Sequence, residues 1–406
     1  MKRFLQQIFL FSLILILLSS SPWIFCQSDA AKPEKVYRIT HEIYPNDWYV
    51  KQATLWKREI DKNPKDAEAW VNYYNAVRYA RFTETIETEE KQQKLKKILA
   101  EMEKVIPDTY EYLMVKERTE CNIHDISLSE KLYAMDPNRA APYYTILSHA
   151  EVYGKEQMMK EFCEKLYQSR DIEPWLINYN YNVLMSLEKD AIIFTNGDND
   201  TYPCWMLQKV LAIRPDVQLL NISLAPTDFY LERVMKERGI DIDVKSLLKK
   251  AFKDNEGAKS FSKGIFVQEV CKAISNVKPE IPLYFALTVY ENFYKPLKEN
   301  LYVVGLAFRY SPERIDNLAF LKKNMEERFR LDYLDHEWYD EDIIGKNGMA
   351  KLNLNFVTPM IMLAEHYNIS GELQKATNLK EKVLSIARKG GEEKEISKYL
   401  AEKGLL

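Results

Sequence analysis

The stretch Ala191-Ile192-Ile193-Phe194-Thr195-Asn196-Gly197-Asp198-Asn199-Asp200-Thr201-Tyr202-Pro203 breaks the chain's pattern. Its first five residues form a continuous apolar run, as expected of a strand buried on both faces. Residues 196–203 read as a polar loop, and Trp205, Leu207, Val210, Leu211 and Ile213 then mark a helix. Arg214-Pro215-Asp216 turns the chain into a second strand at 217–223. Thr227-Asp228 is placed to cap a helix over 229–238 that closes at Gly239. A helix near 266–275 and strands at 283–289 and 301–307 follow. Strands alternating with helices predict βαβ crossovers and a small parallel sheet. Ligands of such sheets bind at the carboxyl ends of strands, where the 196–203 loop is expected.

On the N-terminal side the period is helical. Trp56, Ile60, Trp70, Tyr73, Tyr74 and Val77 fall at helical spacing on either side of Asn63-Pro64-Lys65-Asp66-Ala67, the joint of a helical hairpin. Similar joints occur at Ile106-Pro107-Asp108, Asp136-Pro137-Asn138 and Glu173-Pro174-Trp175. The spacing resembles the tetratricopeptide repeat, nominally ~34 residues. Trp70 and Tyr143 each lie six residues beyond their proline, but Tyr74 and Leu147 stand where a small residue is expected. A further hairpin near the C-terminus uses Leu363, Ala364, Tyr367 and Ala376 around the turn Ser370-Gly371. The expected fold is therefore mixed α/β and mostly α. It has tetratricopeptide-like hairpins over 35–187, a small parallel α/β domain over 188–312 and a helical region with one hairpin over 313–406.

The motif Thr195-Asn196-Gly197-Asp198-Asn199-Asp200-Thr201-Tyr202-Pro203 is followed by Trp205, Ile213-Arg214-Pro215-Asp216-Val217, Asn221-Ile222-Ser223-Leu224 and Thr227-Asp228-Phe229-Tyr230. Together these resemble the soluble domain of an uncharacterised Bacteroidota family of protein-O-mannosyltransferase-like glycosyltransferases. The resemblance is strong over 188–240 and weak over 260–310. It implies a soluble envelope module without the membrane part that would carry glycosyl transfer, and it transfers no activity.

Asn196, Asp198, Asn199, Asp200, Thr201 and Asp228 are the candidate ligand-binding residues. Asp198 and Asp200 are also weak metal candidates, because an Asp-x-Asp after a strand can hold a divalent cation against a diphosphate. A structural reading stands beside this one. Gly197 makes a turn, Asp200 or Thr201 caps the next helix, and Pro203 sits in that helix's first turn. No catalytic residue is assigned and no cofactor is expected. The five histidines show no ligand spacing, and phosphate-loop and nucleophile-elbow motifs are absent. His336 lies in the acidic, aromatic stretch 332–342, which reads as a solvated loop with anchoring aromatics.

Composition narrows the function classes. The formal charge of −3 becomes −5 without the segment bearing Lys2 and Arg3, so nothing suggests a nucleic-acid partner. Those two cations precede the apolar run Ile8–Leu18 and the polar stretch Ser19-Ser20-Ser21-Pro22. That order predicts a secretory signal over residues 1–26, cleaved near Cys26–Gln27, and hence export to the periplasm or envelope. An uncleaved anchor is the alternative. Phe25 argues against lipidation at Cys26, since a bulky residue stands where a small one is needed. Cys121, Cys163, Cys204 and Cys271 are widely spaced and read as small buried hydrophobes. Only Gly154 precedes Gly197, and the other ten glycines begin at Gly239. The helical half is thus nearly glycine-free.

Two functions follow as expectations. One is a non-catalytic envelope binding or scaffold protein whose helical repeats take a protein or peptide partner. The other is a glycan- or nucleotide-sugar-binding accessory, or an enzyme, that uses the Asp198/Asp200 loop.

Overall fold

The computed structural model describes residues 31–80, 89–120, 122–255, 258–335 and 344–405. The expected leader with Cys26, as well as Cys121 and the stretch from His336, lie outside them. Within these residues no helix is long and apolar enough to cross a membrane.

Helices α1 (Asn46–Lys62) and α2 (Ala67–Tyr79) form the first hairpin. Asp66 caps α2 by accepting the Ala69 N–H at 3.0 Å. Six residues beyond the joint proline, Trp70 Nε1 donates to the Pro64 carbonyl at 2.9 Å. The Tyr143 hydroxyl donates to the Pro137 carbonyl in the same way. The recurring aromatic therefore satisfies the carbonyl of the joint proline, which lies two residues beyond the preceding helix. Next come α3 (Glu89–Val105), α4 (Tyr110–Glu120), α5 (Ser127–Met135), α6 (Tyr143–Tyr153), α7 (Glu156–Ser169) and α8 (Pro174–Met185). This helical half is compatible with repeats, although α5 has only nine residues.

The central sheet joins β1 (Ile192–Thr195), β2 (Gln218–Asn221), β5 (Leu283–Ala286), β6 (Leu301–Val303) and β7 (Ala307–Tyr310) in the order β2-β1-β5-β7-β6. Strand β1 pairs in parallel with β2 and β5, and all four of its residues are buried. The sheet is mixed, not parallel throughout. Strand β7 runs antiparallel to both β5 and β6. The run expected as one strand over 301–307 breaks at Gly305, which has φ +143° and where a Cβ would come within 2.7 Å of Phe329 and Ser186. The chain reverses there into the β6–β7 hairpin. A separate two-stranded ribbon, β3 (Phe252–Asn255) and β4 (Ala258–Phe261), was not anticipated.

Between the strands lie α9 (Asp198–Lys209), α10 (Asp228–Glu237), α11 (Val244–Ala251), α12 (Lys263–Val277) and α13 (Glu291–Tyr294). Beyond them come α14 (Asn317–Lys323), α15 (Lys346–Asn353), α16 (Val357–Ser370), α17 (Leu373–Gly390) and α18 (Glu393–Glu402). Helices α16 and α17 form the expected C-terminal hairpin, with Gly371 at φ +83° between them. One buried apolar cluster extends from Ile126 to Leu405 and takes in α6–α8, the sheet and the C-terminal helices. A second covers Ile60 to Leu132.

Candidate functional site

The motif after β1 is helical earlier than its sequence suggests. Helix α9 starts at Asp198, so Pro203 lies inside it and not in its first turn. An interior proline leaves the carbonyl four residues back without a partner. Here that carbonyl belongs to Asn199, and Asn180 Nδ2 on α8 donates to it at 2.8 Å. Cys204, buried in the same turn, donates to Asn180 Oδ1 at 3.4 Å. One side chain on α8 thus makes the proline tolerable and ties the helical half to the motif.

Because the motif is helical, Asp198 and Asp200 diverge. Residues two apart on a helix do not share a face. Asp200 is 2% exposed. It accepts the Asn196 N–H at 2.7 Å, the Gly197 N–H at 2.8 Å and the Thr288 hydroxyl at 2.5 Å. Burial raises its pKa, against the opposing pull of these donors. Thr288 follows β5, so this contact spans the carboxyl ends of β1 and β5. Chain connections diverge there, and open α/β sheets usually leave a ligand crevice at that point. In this chain the crevice is closed by a carboxylate and a hydroxyl. Thr201 completes the knot, since its hydroxyl meets that of Thr195 at 2.7 Å and accepts from Asn221 Nδ2 at 2.9 Å.

The other candidates are placed differently. Asp198 faces outward, with its side chain 48% exposed and 3.6 Å from Arg38 Nη2. Asn196 and Asn199 are half-buried and act here through their main chains. Asp228 is exposed at the start of α10, where Oδ1 accepts the Phe229 N–H at 2.7 Å. Among the described residues no group of three or more His, Cys, Asp or Glu is arranged to hold a metal ion. Cys163, Cys204 and Cys271 are free and buried, and burial raises the Cys163 thiol to about 12. Gly197 has extended backbone with φ −165°, and an added Cβ would meet nothing within 4 Å. The motif therefore does not depend on its glycine. Gly197→Ala is expected to change the unfolding free energy by less than about 1 kcal/mol in a urea titration.

The Arg214-Pro215-Asp216 element is a joint. Arg214 donates to the carbonyls of Leu184, Leu187 and Glu188, at 2.9, 2.8 and 2.5 Å, where α8 ends. It also grips Asp216 through Nε and Nη2. Asp216 in turn accepts the Asp190 N–H at 2.9 Å.

A small cleft opens beside Asp198. It encloses about 280 Å³, open solvent included, and its lining includes Thr40, His41, Tyr144, Asp171, Asp198 and Asn199. The Tyr144 hydroxyl donates to Asp171 Oδ2 at 2.5 Å, and His41 Nε2 lies 3.6 Å from the same oxygen. Burial lowers the pKa of His41, and Asp171 opposes that shift. Burial also works against the charge of Arg38. Tyr144 and Asp198 more than offset it, and the arginine's pKa rises.

Arg38 ends a non-helical segment that sequence reading missed: residues 34–38 run along α1 and α2, and a turn at 39–41, which holds His41, follows. Gln52 Oε1 accepts the Glu34 N–H at 2.8 Å, and Trp56 Nε1 donates to the Glu34 carbonyl at 2.8 Å. Asn72 Oδ1 accepts the Val36 N–H at 2.7 Å, and Asn75 Nδ2 donates to the Val36 carbonyl at 3.0 Å. The only sequence signal for this is polar amides at Gln52, Asn72 and Asn75 on otherwise apolar helix faces.

A family model described as TMEM260-associated domain 2 matches residues 176–251. No curated protein matches the chain. The matched stretch holds Asn180, the 195–203 motif, the Arg214 joint and α10, and it fits a relationship to the protein-O-mannosyltransferase-like family.

Proposed function

We propose that this chain is a non-catalytic binding or scaffold protein of the cell envelope that takes a protein or peptide partner. The observation that carries this is the state of the motif: Asp200 is buried with three donors and Asp198 points away from it. The two carboxylates therefore do not converge, and the paired site suggested by the Asp-x-Asp spacing is not formed by this helix. The family match supports reading the chain as a soluble module of the protein-O-mannosyltransferase-like family, not as a carrier of its activity. The helical half supports a surface for a macromolecule, with degenerate tetratricopeptide-like hairpins as its units. Export rests on the basic–apolar–polar order of residues 2–22. The alternative is a glycan- or nucleotide-sugar-binding accessory. It is favoured by the small polar cleft beside Asp198, with its tyrosine and carboxylates.

Cell fractionation followed by affinity capture with the full chain tests the proposal. The expected result is an envelope fraction and one protein enriched in proportion to the bait. A cytosolic chain, or capture of saccharide without protein, would contradict it.

A further inference from the structure

The segment at 34–38 is held as grooves hold foreign peptides. Alternate residues are clamped at both the N–H and the carbonyl, each by two side chains on one helix. Gln52 and Trp56, four apart on α1, hold residue 34; Asn72 and Asn75, three apart on α2, hold residue 36. Helix neighbours at those spacings face the same way, and alternate residues of an extended chain point the same way. The two periods match. Gln52 is 0% exposed, and Asn72 and Asn75 are each 3% exposed. These amides are expensive to bury without partners, so the groove is built to have main chain in it.

Main-chain clamps carry no sequence preference, but three side chains add one. The Glu34 carboxylate accepts from Trp48 Nε1 at 3.3 Å and from Gln52 Nε2 at 3.1 Å. Val36 is 2% exposed and shares a small apolar cluster with Tyr49, Ala76 and Tyr79. Arg38 lies 4.4 Å over the Tyr144 ring and 3.6 Å from Asp198.

We propose that the groove between α1 and α2 is a recognition site for an extended peptide of the pattern acid–x–valine–x–arginine, and that residues 34–38 are its built-in competing occupant. The partner is thus a peptide segment that repeats this chemistry and displaces the chain's own copy. Asp198 of the family motif reads the arginine, which assigns that carboxylate a part in binding without a metal. This inference rests on the reading of the chain as a protein- or peptide-binding module and specifies where such binding occurs.

The test uses the full chain and a fluorescein-labelled synthetic peptide with the sequence of residues 33–41. An attached segment competes at an effective concentration on the order of millimolar. Wild type is therefore expected to bind the peptide only weakly by fluorescence anisotropy. Val36→Asp with Arg38→Ala evicts the built-in segment, and affinity is expected to rise at least tenfold. Adding Asn72→Ala and Asn75→Ala should remove that gain. Equal affinity of wild type and the evicted chain, with circular dichroism unchanged, would overturn the proposal. A measurement on wild type covers the case in which the evicted chain fails to fold. Unlabelled peptide at several millimolar should accelerate hydrogen exchange at the Val36 amide, and no change there would also overturn the proposal. If the peptide fails both tests while affinity capture still returns a protein, the groove assignment falls and the scaffold reading stands.

Discussion

Arg214→Ala is expected to cost about 4 kcal/mol of stability, the largest effect of any single substitution outside the apolar core. The guanidinium donates to one carbonyl in the last turn of α8 and to two just beyond the helix, and forms a two-nitrogen contact with Asp216. Its side chain is only 18% exposed, so water cannot fully replace those donors. Removing it takes the donor from the Leu187 and Glu188 carbonyls and leaves a carboxylate without its cation, while the Leu184 carbonyl keeps the Leu187 N–H. The Arg–Asp half can be read separately. Hydrogen bonds from Arg214 hold the Asp216 carboxyl at about 2, below the ordinary 3.8, and burial opposes the shift. A depressed folded-state value means stability that is present above the ordinary carboxylate range and lost as the pH falls toward 2. Asp216→Asn should therefore cost about 2 kcal/mol at neutral pH, and the gap from wild type should close between pH 4 and about 2 in urea titrations. A pH-independent gap would place the energy in packing instead.

Asp200→Asn is expected to cost about 3 kcal/mol, since an amide presents one NH₂ where the carboxylate receives N–H and O–H donors on both oxygens. The donors come from the β1–α9 junction and from Thr288 beyond β5, so the damage reaches the centre of the sheet. The pH dependence has the opposite sign to that of Asp216. Burial raises the folded-state pKa of Asp200. Its contribution is full below the ordinary carboxylate value and declines as the pH rises through the folded value. The gap between wild type and Asp200→Asn should then widen on acidification. Thermal unfolding at several pH values reads this directly. A substitution that leaves the melting temperature untouched would return Asp200 to the list of ligand residues.

Much of the architecture is legible in residue patterns, and the failures have local causes. The apolar run at 192–195 is a strand, and the proline joints do separate helices. Trp70 and Tyr143 matter for a reason their spacing alone hides, the carbonyl of the preceding proline. The start of α9 was obscured by Pro203. A proline in that position argues against a helix, and the rescue comes from Asn180, on a different helix. That shift turned an apparent carboxylate pair into one buried knot and one surface contact. The β6–β7 reversal was hidden because Val303, Val304, Leu306 and Ala307 read as one apolar strand and its break needs only Gly305. Segment 34–42 has neither helical nor alternating apolar periodicity. The side chains that clamp the main chain of residues 34 and 36 lie 18 to 39 positions away, so no local pattern announces it.

The Asp198–Asp200 motif binds the ends of β1 and β5 together through Asp200 and meets an arginine through Asp198, and we propose that it does not serve as a cation–nucleotide-sugar centre. Isothermal titration of the full chain with nucleotide sugars in the presence of Mn²⁺ or Ca²⁺ tests it most directly. The predicted result is no saturable heat, with Asp198→Ala indistinguishable from wild type. Saturable binding to wild type that Asp198→Ala abolishes, with its melting temperature unchanged, would contradict the claim.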